Sequence, residues 1–128
     1  MSESRIPSPS TYAPAIGFSA AVRAGGWVTT AGTTALDGTG RIVGDDAYGQ
    51  AREVLRKIGA ALGEAGAQLE QVVQTRIYLT RSENWEAVGR AHGEVFAGIR
   101  PVATMVVVAQ LLDPRMLVEI EAVAFIGE

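Results

Sequence analysis

Residues 100–126 read R-P-V-A-T-M-V-V-V-A-Q-L-L-D-P-R-M-L-V-E-I-E-A-V-A-F-I and hold the two long apolar runs of the chain, 105–109 and 117–126, with the turn signal Asp113-Pro114-Arg115 between them. β-Branched runs this short, bounded by proline, are expected as strands buried on both faces rather than as helices. The pair is expected to form the centre of the sheet.

The second run carries the sharpest chemical clue. Its only charged residues are Glu119 and Glu121. Two apart in a strand, both carboxylates point to one face, and Val118, Ile120 and Ala122 point to the other. An ionised carboxylate in a central strand costs several kcal/mol unless it is paired, hydrogen-bonded or solvated. Two readings follow. Either polar groups or cations of a neighbouring subunit cover this face, or it borders a wet cleft in which a carboxylate does chemistry.

With 128 residues, 48% of them hydrophobic, the chain is long enough for one domain that buries roughly two-thirds of its unfolded surface. It has no cysteine, hence no disulfide, thiolate zinc site or thiol nucleophile, which fits a reducing, cytoplasmic compartment. A net charge of −3 supplies no basic field for nucleic acid. No apolar run approaches the ~20 residues that cross a bilayer, and no signal-peptide pattern opens the chain. Neither a nucleic-acid nor a membrane partner is expected.

Residues 1–15 hold three of the five prolines and four serines and are expected as an extended lead-in with little structure of its own, ahead of a single domain over 16–128. Residues 20–24 and 27–31 are strand candidates split by Gly25-Gly26, which supplies positive φ for a tight hairpin. Gly32-Thr33-Thr34 closes the second strand, and Asp37-Gly38-Thr39-Gly40 is a turn before a short strand at 41–43. This Gly/Thr stretch lacks the spacing and the lysine of a phosphate loop, so an ordinary turn is favoured. Asp45 or Asp46 caps a long helix with apolar positions Ala47, Ala51, Val54, Leu55, Ile58, Ala61, Leu62 and Ala65, and Gly66 supplies the left-handed stop. Residues 72–79 alternate as a strand. Thr80-x-x-Glu83 has the capping-box pattern ahead of a second helix whose stripe is Trp85, Val88, His92, Val95 and Phe96. The lone histidine, His92, reads as a hydrogen-bonded residue at the core edge rather than a catalytic base, because no second His or Cys exists to share the work.

This order predicts an α+β domain with a mixed six-stranded sheet and both helices on one face. The uncovered face predicts a homo-oligomer.

Gly17, the Ala31-Gly32 step, the long helix ending Ala65-Gly66, Val72-Val73, the Pro101 turn and Val118-Glu119-Ile120-Glu121-Ala122 occur in an order that resembles the RidA/YjgF/YER057c/UK114 family, over roughly residues 16–125. The resemblance implies a chorismate-mutase-like fold and a homotrimer with small-molecule clefts between subunits. It also implies hydrolysis of reactive imines and enamines, such as 2-iminopropanoate and 2-iminobutanoate, without cofactor or metal. Older names for such proteins are translation inhibitor and L-PSP endoribonuclease. Glu119 then aligns with the glutamate that positions the attacking water, and Gly32 and Thr33 line the cleft.

The departures matter more. The arginine that clamps the substrate carboxylate aligns with Ala103, the family's tyrosine with Ser19, its asparagine in the second helix with Gly89, and its cysteine with Met105. Arg100, three before Ala103, points to the other face in a continuous strand, although Pro101 could break that strand. Three functional readings stand. The chain binds or transforms a less acidic, more apolar metabolite; or it is a weak or altered imine deaminase with Glu119 and another cation; or it is a non-catalytic, chaperone-like or regulatory trimer.

Overall fold

The computed structural model describes residues 3–127. Six strands form one sheet in the order β1-β2-β3-β6-β4-β5: β1 Glu3–Pro7, β2 Ser19–Ala24, β3 Trp27–Thr30, β4 Val72–Leu79, β5 Val102–Val107 and β6 Val118–Phe125. Three helices accompany them, a single-turn α1 (Ala13–Ile16), α2 (Ala47–Glu64) and α3 (Trp85–Phe96). Only β4 and β5 run parallel; every other pairing is antiparallel. The last strand in sequence, β6, therefore enters between β3 and β4. This is the mixed sheet of the chorismate-mutase-like fold, with the two long helices on one side.

Local chemistry explains most of the boundaries. Gly25 at φ +60° turns β2 into β3. Asp46 caps α2, its Oδ1 accepting the Gly49 N–H at 2.8 Å, and Gly66 at φ +91° follows the helix end. The α2 positions Ala47, Ala51, Val54, Leu55, Ile58 and Leu62 are buried against the sheet and α3. His92 sits as expected: its Nε2 lies 2.9 Å from the Thr75 hydroxyl and its ring 4.6 Å from that of Phe96.

Five expectations are corrected. Met1 and Ser2 of the expected lead-in lie outside the described residues, but Glu3–Pro7 is not loose: it pairs with β2 as the sixth strand. Residues 41–43 make no strand, only an isolated bridge between Leu36 and Ile42, because the Asp37 turn folds them back on their own loop. The capping box at Thr80 and Glu83 does not form. Residues 82–84 make a 3₁₀ turn that moves the start of α3 to Trp85, and Asn84 caps it without a side-chain bond. Trp85, expected in the core, is 58% exposed, since as the first helical residue it carries the apolar stripe out to solvent. Finally, β6 is central but β5 is not its neighbour. β4 lies between them and β5 is an edge strand, with Val102 67% and Val107 54% exposed. Its apolar run signals a surface that the isolated subunit does not bury.

Arg100 has φ +61°, the only positive φ outside glycine among the described residues. Its N–H bonds the Phe96 carbonyl at 2.8 Å to close α3, a position where glycine is usual. A side chain there costs roughly 1–2 kcal/mol, and glycine returns part of that gain through the unfolded chain. Arg100→Gly is therefore expected to stabilise the protein by about 0.5–1 kcal/mol in urea titration; a loss of stability would mean the side chain does work that outweighs its strain.

Candidate functional site

Along β6, Val118, Ile120, Ala122 and Ala124 are buried beneath the helices while Glu119 and Glu121 face the open side, the parity read from the sequence. The strand partners decide how differently the two acids behave. Arg76 stands opposite Glu121 and Tyr78 opposite Glu119 on β4. Glu121 is fully engaged: Arg76 Nη1 donates to Oε2 at 3.1 Å and the Tyr78 hydroxyl to Oε1 at 3.1 Å. Burial, then the bond to Glu121, pushes the Tyr78 phenol pKa up.

Glu119 has no hydrogen-bond or ion-pair partner among the described residues. Its Oε2 lies directly over Gly32, where any Cβ would overlap it. The approach is fixed by the next residue: the Thr33 N–H donates to the Ile120 carbonyl at 2.8 Å and the Ile120 N–H to the Thr33 carbonyl at 3.0 Å. Burial first, and the negative charge of Glu121 second, push the Glu119 carboxyl above its ordinary 4.5. With no cation beside it to attract an anion, and with a carboxyl that can donate as well as accept whenever it holds a proton, the site suits a neutral carbonyl or imine better than an anion.

The sign of the pH effect follows. Below about 4.5 the group is protonated in folded and unfolded chains alike and contributes nothing; as pH rises through the elevated folded value, ionisation weighs on the folded state alone. Glu119→Gln is expected to melt at a higher temperature than the parent at pH 7, with the difference vanishing as pH falls toward 4.5. A constant difference across that range would place the group in an ordinary, solvated setting.

The structure brings Gly32, Thr33 and Glu119 together and leaves the other candidate residues elsewhere. Ser19 opens β2, two strands away across β3. Ala103 and Met105 sit beside Thr75 and Ile77, whose side chains are buried under the helices, so within one chain they face away from Glu119 and lie about 10 Å across β4. Gly89 is on α3, with open space where a Cβ would be. Arg100 precedes β5 at the end away from Val106, which stands beside Tyr78 and so level with Glu119. That separation is about 20 Å along the strand, too far for Arg100 to reach Glu119 within a subunit.

Two features escaped the sequence reading. Arg76 and Tyr78, which pair with and hydrogen-bond Glu121, were legible only as alternate positions of a strand. The other is a cavity of about 290 Å³ on the helix side, whose lining includes Phe18, Gly32, Thr33, Arg56 and Lys57. Among the described residues no group of three or more His, Asp or Glu side chains could hold a metal, and no helix is long and apolar enough to cross a membrane.

Residues 9–126 match the family model described as Endoribonuclease L-PSP. The chain belongs to that family, also known as YjgF/YER057c/UK114. Within the family it is similar to Rv2704 of Mycobacterium tuberculosis, a solved structure with 47% sequence identity and a TM-score of 0.89, over 97% of this chain and 99% of that one. It is also 40% identical to the uncharacterized protein SCO2049 of Streptomyces coelicolor, over 96% of this chain and 92% of that protein. A RutC family protein of Pyrococcus horikoshii, PH0854, is 34% identical over 84% and 86% of the two chains.

Proposed function

We propose that this YjgF-family chain acts in the cytoplasm as a homotrimer and binds or transforms a small metabolite at an uncharged carbonyl or imine carbon, in clefts between subunits. The observation that carries the reading is Glu119, a carboxyl with no cation or hydrogen-bond partner among the described residues, held over Gly32 and with its pKa raised by burial. Assembly is supported by the open sheet face. Trp27 is 50% exposed, and its ring packs 4.7 Å from that of Phe125; Val106 is 42% exposed on the same face. Large apolar side chains left exposed at two places on one face of a strand-rich subunit favour a partner.

A weak or altered imine deaminase is the second reading. Arg76 places a cation on the open face one residue pair from Glu119, although Glu121 already engages it.

Light scattering at micromolar concentration is expected to give a trimer, and a stable monomer would remove the inter-subunit cleft. In thermal melts of the trimer, neutral 2-oxobutanamide is expected to raise the melting temperature more than anionic 2-oxobutanoate. Rapid ammonia release from freshly generated 2-iminobutanoate would favour the deaminase instead. A trimer that responds to none of these compounds would leave the non-catalytic role.

A further inference from the structure

We infer that Glu121 is the specificity-determining residue of the site at Glu119: by holding Arg76 to itself it keeps a cation away from Glu119 and so reserves the site for an uncharged ligand. This deepens the function proposed above and rests on that reading for the ligand, although the hold on Arg76 can be tested without one. Arg76 stands directly opposite Glu121, and Tyr78 directly opposite Glu119, so Arg76 and Glu119 are diagonal neighbours on one face of an antiparallel pair. Such neighbours are about 7–8 Å apart, within reach of a long side chain. The guanidinium does not take that route.

Glu121 offers one oxygen to each partner. Arg76 Nη1 donates to Oε2 and the Tyr78 hydroxyl to Oε1, both at 3.1 Å. The hydroxyl fixes a carboxylate that an ion pair open to solvent would hold only weakly. Glu119 leans the other way, its Oε2 over Gly32, and the causes that push its carboxyl pKa up are burial and then the charge of Glu121, with no offset from Arg76. Glu121 thus acts on its neighbour twice, by its own charge and by occupying the cation that would balance it. Nothing on the adjoining strands competes for that cation. On the open face β3 presents Trp27 and Thr29, and β5 presents Val102, Thr104 and Val106, none of them charged. Once Glu121 is made neutral, Glu119 is the remaining carboxylate on this face of β3, β4, β5 and β6 among the described residues. A released arginine beside it would favour an anionic ligand, because a guanidinium matches a carboxylate with two parallel N–H donors.

The test is a ¹³C NMR titration of the Glu119 carboxyl in the full chain, run on the parent, on Glu121→Gln, and on Glu121→Gln combined with Arg76→Gln. The amide keeps the shape of Glu121 and removes the charge that holds the cation. Glu119 is expected to titrate at lower pH in Glu121→Gln than in the parent, and Arg76→Gln should reverse part of that fall, the part supplied by the released guanidinium rather than by the lost charge. Calorimetry then compares 2-oxobutanoate with 2-oxobutanamide on the same three proteins. Glu121→Gln should bind the acid at least about 10-fold more tightly than the parent does, and the double variant should lose that gain. Identical Glu119 titrations with and without Arg76 in the Glu121→Gln background would overturn the inference, and so would an undiminished preference of Glu121→Gln for the amide. If none of the three proteins binds either compound while the titrations differ as expected, Glu121 does withhold Arg76, and it is the ligand class proposed for the site that fails.

Discussion

Phe96→Ala is expected to cost the fold about 3–5 kcal/mol in equilibrium denaturation, whereas Trp85→Ala, at the other end of the same helix, should cost less than about 1 kcal/mol. Both are large aromatics on one apolar stripe, and sequence alone ranks them equally. The structure separates them: Phe96 is 2% exposed and packed against the His92 ring, while Trp85 is 58% exposed. Truncating a buried ring leaves a cavity that the surrounding layer cannot collapse to fill; truncating an exposed one leaves solvent where solvent already was. Equal losses for the two variants would show that Trp85 is covered in solution by something the single subunit does not contain.

Ala103→Arg is expected to raise kcat/KM for ammonia release from 2-iminobutanoate by about 30- to 5,000-fold, the range that goes with gaining a carboxylate anchor of about 2–5 kcal/mol. Ala103→Arg combined with Glu119→Gln should return activity to background. The register adds a condition. Residue 103 lies on the helix side of β5 beside Thr75, and Glu119 lies on the open side of β6. In the proposed trimer, a new guanidinium at 103 can therefore approach only a Glu119 belonging to another subunit, and the gain must disappear under conditions that dissociate the subunits. A folded trimer of Ala103→Arg with no gain would mean that Ser19, Gly89 and Met105 have removed too much of the site, and the deaminase reading would fall.

How much of this was legible depends on which physical signal each element carries. The long helix α2 was readable because its cap, its three-four periodicity and its glycine stop agree. Strand parity put Glu119 and Glu121 on one face because a period of two leaves no other choice. What parity could not say was which of the two acids is paired, since that depends on Arg76 and Tyr78 arriving from a strand more than 40 positions away. The position of β5 was misread for a related reason: an all-apolar run reports that burial is needed, not which neighbour supplies it. β1 was missed because its prolines and serines mimic a linker, and the pairing that orders it is contributed by β2. The cavity beside Lys57 has no sequence signature, as it is assembled from the lead-in, a turn and one flank of a helix.

The edge position of β5 also bears on the fate of a newly made chain. Residues 102–110, V-A-T-M-V-V-V-A-Q, carry no charge, and one side of the strand has no partner in the sheet. Natural sheets usually blunt such an edge with lysine, a bulge or an inward charge; here only Pro101, at its head, interrupts the pattern. A freshly made chain thus presents a ready template for indiscriminate strand addition, and the assembly proposed above competes with clumping for the same surface. Recovery on dilution from denaturant should pass through an optimum of protein concentration, and a lysine at Val106 should suppress the clumped fraction while also slowing assembly.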